Sequence, residues 1–144
     1  MEEKTNNPAA ALEHYRLIVL ADPDNLVALN NLASVLNESA KNPDEALPFA
    51  EKAYQGAPGS AAVNDTLGWV FYQKRIYTRA VHHLETAVKL QPTAKRKAHL
   101  ALAYHQTGAD AQARKTLAEA LALDPDLGET QGDLAAILSA PAHR

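Results

Sequence analysis

The sequence predicts an all-α protein built as a tandem array of antiparallel helix pairs. Three observations carry that prediction. The first is a repeat. Pro23, Pro58, Pro92 and Pro125 fall 35, 34 and 33 residues apart. An alanine leads each by twelve residues (Ala11, Ala46, Ala80, Ala113), and a small or aliphatic residue precedes each by five (Ile18, Ala53, Ala87, Ala120). A leucine follows each by eight or nine (Leu32, Leu67, Leu100, Leu134). A period near 34 that recurs in several residue classes at once marks equivalent structural units. The second is composition: 47% of the residues are hydrophobic, only 6% are aromatic, and the β-branched runs that strands need are missing. The third is helical patterning. Ala80, Leu84, Ala87 and Val88 lie at i, i+4, i+7 and i+8, while Arg79, His82, Glu85 and Lys89 take the opposite face.

Eight helices are expected, at 8–21, 25–38, 43–56, 60–73, 77–90, 94–107, 110–123 and 127–139. Asn7-Pro8 and Asn42-Pro43 place an acceptor at the N-cap and proline at the first helical position, where a missing N–H costs nothing. Thr93 and Asp110 read as further caps. The four periodic prolines stop one helix and open the turn to the next. In the helix at 60–73, Val63, Leu67, Val70 and Phe71 form the buried stripe. Ala80 is small where that helix and its successor come close. Gly56 and Gly108 suit left-handed helix ends. Pro48 falls inside an expected helix and predicts a mild bend or a ragged start. The first unit has one residue more between Leu36 and Ala46, which predicts a bulged turn near 37–42. The third has one residue fewer between Pro92 and Leu100, which predicts a tighter connection.

Composition narrows function by exclusion. No apolar stretch reaches the roughly 20 residues of a membrane span, and the start lacks a signal-like pattern. Zero cysteines exclude a disulfide framework and thiolate metal sites. Both the cytoplasm and the periplasm fit that composition. The net charge of −3 is uneven: residues 1–72 carry 4 Lys/Arg against 10 Asp/Glu, and residues 73–144 carry 10 against 7. Opposite ends can steer a partner or another copy. The basic run Lys95-Arg96-Lys97 with Lys89 is too sparse for a nucleic-acid face. Adjacent helical residues point about 100° apart, so His82-His83 cannot chelate together, and His99 and His105 lie on different faces. Phosphate-cradling glycine loops, the HExxH pair and a nucleophile elbow are absent. The expectation is a non-catalytic protein with no cofactor and no metal.

The repeat resembles the tetratricopeptide repeat, whose 34-residue helix-turn-helix unit follows W-x2-L-G-x2-Y, then A-x3-F, then P. Leu67-Gly68 with Phe71, then Ala80, Leu84, Ala87 and Pro92 carry the likeness in the middle unit. Leu100-Ala101 with Tyr104, then Ala113, Leu117, Ala120 and Pro125 carry it in the next. Leu29, Leu32-Ala33 and Leu36, then Ala46, Ala50, Ala53 and Pro58 carry it in the first. The pattern's opening Trp is replaced by Leu29, Asn64 and Lys97; Trp69 lies two residues after its leucine and is a different position. The resemblance implies a right-handed helical solenoid. On it, residues 8–21 are the second helix of a unit that lacks its first, 25–56, 60–90 and 94–123 are complete repeats, and 127–139 is a terminal cap. The first helix then lacks cover, as in a segment of a longer protein. The runs Leu29-Asn30-Asn31-Leu32-Ala33 and Asn64-Asp65-Thr66-Leu67-Gly68-Trp69 are also similar to the C-terminal repeats of bacterial envelope and polysaccharide-export proteins of this family.

In that family the first helices line a concave groove that holds extended peptides or partner helices. The matching slots are Asn30, Ser34 and Asn37; Asp65, Trp69 and Tyr72; and Ala98, Leu102 and His105. Trp69 and Tyr72 at i, i+3 would form an aromatic platform mid-groove, with Asn30, Asn37 and His105 hydrogen-bonding a peptide backbone. Asp65 supplies negative charge where carboxylate-clamping relatives need positive charge, so that subtype is excluded. The function expected is a protein-interaction scaffold. The alternatives are end-to-end or swapped self-assembly and a plain structural spacer.

Overall fold

The computed structural model describes residues 7–127 together with Leu134 and Ile137. Seven helices run among the described residues: α1 (Pro8–Ala21), α2 (Leu26–Glu38), α3 (Pro43–Gly56), α4 (Ala61–Gln73), α5 (Tyr77–Leu90), α6 (Ala94–Gln106) and α7 (Asp110–Leu123). The expected eighth helix lies outside the described residues, apart from Leu127, Leu134 and Ile137, which are helical and buried.

Local chemistry sets the helix ends. The side chains of Asn7, Asn25, Asn42, Ser60 and Thr93 each accept from the backbone N–H three residues ahead, which satisfies a donor with no helical partner. Asp110 departs from expectation. It is the first residue of α7, and Ala109 precedes it with no side-chain cap; its charge instead suits the positive helix start. The extra residue of the first unit is absorbed after α2, where Lys41 takes a φ of 56° and the Asn42 N–H donates to Leu36 O at 2.8 Å. The deletion shortens the α5–α6 connection to Gln91–Thr93. Gly108 is left-handed at φ 85°, whereas Gly56 closes α3 without a positive φ and Arg75, at 66°, follows α4. Pro48 does not delay α3, which runs from Pro43 straight through it. The cost is the donor that the Asp44 carbonyl would otherwise meet.

Consecutive helices pack as hairpins: α2 with α3, α4 with α5 and α6 with α7. The second helix of each pair then packs on the first helix of the next, α3 on α4 and α5 on α6, as α1 does on α2. First helices also touch one another, α2 with α4 and α4 with α6, while neighbouring second helices are splayed. The layer whose members touch is the inside of a curve. The result is a right-handed tetratricopeptide-like solenoid. Its axes approach closely because Ala46, Ala53, Ala80, Ala87, Ala113 and Ala120 are completely buried. Leu32, Leu67, Leu84 and Leu117 fill the space between, each stabilising by about 1.5–3 kcal/mol on burial. α4 and α5 come close at Gly68, where an added Cβ would stand 2.8 Å from Leu84 Cγ.

Candidate functional site

The inner face is built from α2, α4 and α6, so the candidate slots fall into one stripe per helix. On α2, Asn30 and Ser34 are half-buried and Asn37 is 2% exposed. The Oδ1 atoms of Asn30 and Asn37 are both buried without a donor among the described residues. On α4, Asp65 is partly buried and accepts from His99 Nδ1 at 2.9 Å, with Arg96 Nε 3.9 Å from its other oxygen. Tyr72 is half-buried and meets Tyr77 edge-on at 5.4 Å. On α6, His105 is half-buried, with Nδ1 3.2 Å from Asp110 Oδ1.

Trp69 does not form an exposed platform. It is 8% exposed, sandwiched between Tyr72 (centroids 4.4 Å apart, planes at 10°) and His99 (3.9 Å, 13°). Ala98 and Leu102 are also buried and share its apolar cluster. The reason is side-chain size across the seam between α4 and α6. Alanine at position 98 leaves room, and the indole fills it. Asn37, Trp69, Ala98 and Leu102 are therefore packing positions, which leaves Asn30, Ser34, Asp65, Tyr72 and His105 as the open part of the stripe.

Sequence reasoning overlooked His99 and Arg96. His99 is 34 residues from Asp65, one repeat length, and that register was the available signal. The basic run at the start of α6 is spent internally. Lys95 reaches Glu38 at 3.7 Å, Arg96 faces Asp65, and Lys97 pairs with Glu119 at 2.8 Å. The Lys97 hydrogen bond holds the Glu119 carboxyl below its ordinary range. These pairs tie α6 to α2, α4 and α7, and they cancel the charge that a nucleic-acid face would need. Tyr104 donates to Glu85 Oε2 at 2.5 Å, and burial followed by that hydrogen bond raises its pKa. Among the described residues no group of three His, Asp or Glu side chains comes together as a metal site. No described helix is long and apolar enough to cross a membrane.

A tetratricopeptide repeat family model matches residues 2–61 and 66–127. The chain belongs to the tetratricopeptide repeat family. It is 30% identical over 100 residues to the TPR repeat-containing protein PA4667 of Pseudomonas aeruginosa, a match covering 69% of this chain and 17% of that protein. The chain thus spans about a sixth of that relative's length. The solved structure of TTC0263, a thermophilic TPR protein of Thermus thermophilus, superposes with a TM-score of 0.72 at 22% identity, covering 89% of this chain and 71% of that one. A crystal structure of MamA gives 0.72 at 18% identity, with 96% and 91% covered. MamA from Desulfovibrio magneticus RS-1 gives 0.70 at 19%, with 83% and 67% covered. At these identities the likeness to the structures establishes the fold. Tetratricopeptide arrays in general are non-catalytic scaffolds for protein–protein interaction.

Proposed function

We propose that this tetratricopeptide array binds an extended segment of another protein along its inner face. Asn30, Ser34, Asp65, Tyr72 and His105 are the contact groups. The observation that carries the reading is the Asn30 oxygen, buried without a donor among the described residues on a side chain that is itself only partly buried. Such an oxygen costs about 1–3 kcal/mol of lost hydration, and an N–H donor from a ligand chain would recover it. The packed Trp69 holds α4 against α6, so the wall is rigid before a ligand arrives and little ordering is left to offset affinity. Substitutions Asn30→Ala and Ser34→Ala test the reading in pulldowns of the full-length protein. Captured partners should be lost while the helical circular dichroism stays unchanged. Undiminished capture by the double variant contradicts it.

A second reading, self-association, draws on the exposed Leu17, Leu20 and Val27, 57%, 80% and 71% accessible. Leu17 and Leu20 line a cleft of about 560 Å³ between α1 and α3. Acidic charge dominates this half of the chain and basic charge the other. Sedimentation at low and high salt decides it. Salt-sensitive oligomers support the reading, and a monomer under all conditions removes it.

A further inference from the structure

Among the described residues, one ion pair joins the first repeat to the third: Lys95 of α6 reaches Glu38 of α2, Nζ to Oε2 3.7 Å. α4 lies between those two helices and packs on both, while α3 and α5 close its other side. The side left open to such a bridge is the inner face. Helical spacing agrees. Glu38 is one turn beyond Ser34 and Lys95 is one turn before Ala98, so each shares a face with the slots of its own helix.

Both charges stand where their own helix disfavours them. Glu38 is the last residue of α2, at the negative end of the helix dipole, and no basic residue accompanies it in that turn. Lys95 is the second residue of α6, at the positive end, and no acidic residue stands in that turn. Neither charge stabilises its own helix. The pair is also open to water, with the side chains 54% exposed at Lys95 and 39% at Glu38, and an ion pair so exposed adds little to the fold. The rest of the basic run is committed elsewhere: Arg96 bonds Gln91 and faces Asp65, and Lys97 pairs with Glu119. What remains is an anion and a cation that hold each other loosely across the groove.

We infer that Glu38 and Lys95 form a strap over the inner face and select its ligand by charge: an extended segment that carries one basic and one acidic side chain on the same face. The inference rests on the inner-face reading above. The free protein keeps the two charges paired. The incoming segment parts them, its cation meeting the Glu38 carboxylate on the α2 side and its carboxylate meeting Lys95 on the α6 side. Each exchange also sets a charge of the favoured sign beside a helix end, a cation at the C-terminus of α2 and an anion at the N-terminus of α6. A segment of a single sign leaves one strap residue without a partner in the covered groove, and an uncharged segment leaves both, so the strap discriminates against them.

The test starts from peptides selected out of a random displayed library on the intact chain and kept where they shift the amides of Asn30, Ser34 and Tyr72. These peptides should carry one basic and one acidic residue, and glutamine in place of either should weaken binding about threefold, the loss of one partly exposed ion pair. The deciding variant is Glu38→Lys with Lys95→Glu, which keeps the strap and reverses its sense. It should bind the same peptides less tightly and regain the parent's affinity when the two charged residues of the peptide are exchanged, with the circular dichroism spectrum unchanged. Lys95→Gln alone should make the acidic residue of the peptide dispensable. Equal affinity of the parent and the reversed protein for the same peptides overturns the inference, and so do inner-face peptides without the two charges; both results leave the inner-face reading standing. Peptides that bind only on other faces remove the two together.

Discussion

Gly68→Ala sets two effects of known sign against each other. Gly68 lies inside α4, so alanine gains about 1 kcal/mol of helix propensity. Its Cβ, however, would stand 2.8 Å from Leu84 Cγ, 3.0 Å from Leu84 Cδ2 and 3.2 Å from His83 Cβ. Leu84 is completely buried, and Cγ is a branch point that moves only with the whole side chain. Overpacking of this kind costs about 1–3 kcal/mol. The clash should win, leaving the variant about 1 kcal/mol less stable and lowering Tm by about 4 °C. Gly56→Ala is the control. Its Cβ would meet Leu26 at Cδ2, 2.6 Å, and Cδ1, 2.9 Å, the far end of a flexible side chain at an exposed helix end. That variant should be neutral or slightly stabilised. Urea denaturation of both measures the difference. A Gly68→Ala protein more stable than the parent would refute the close approach of α4 and α5 as the reason for glycine there.

Two further predictions follow from the packed residues. His83 has a folded pKa of about 4, lowered by burial and then by His82 and Arg79, against about 6.5 unfolded. The unfolded chain therefore binds more protons between those values, and stability falls as pH drops. The loss from this group is about 2 kcal/mol between about pH 7 and about pH 5, and about 3 kcal/mol once both forms are protonated. The His83 ring proton shift should stay flat through that window, and a normal titration near neutrality would contradict the burial. Trp69→Ala removes the ring stacked between Tyr72 and His99. It should cost about 3–5 kcal/mol in urea denaturation; a cost under about 1 kcal/mol would place the indole outside the core.

Much of the fold was legible because a repeat reports the same geometry several times. Each alanine twelve residues before a proline recurs as a small residue at a helix crossing, and all but Ala11 are fully buried. Asn7, Asn42 and Thr93 declared themselves as caps through local hydrogen-bonding chemistry alone. Asp110 misled because an acidic residue suits either the cap or the first turn. Inner-face depth was the part that could not be read. Helical spacing says which side of α4 bears Trp69, but whether the ring stands in the open depends on what lies opposite on α6. There Ala98 makes room and His99 provides a stacking face. Asn37 sank for a related reason: a helix flanked by neighbours on both sides exposes a narrower strip than a helical wheel suggests.

The most direct test of the inner-face account is to select binding peptides from a displayed library with the intact chain and map the tightest by amide chemical-shift perturbation. The largest shifts should fall on Asn30, Ser34, Asp65, Tyr72 and His105. Shifts concentrated on α3, α5 and α7 would place recognition on the opposite side of the solenoid and contradict it.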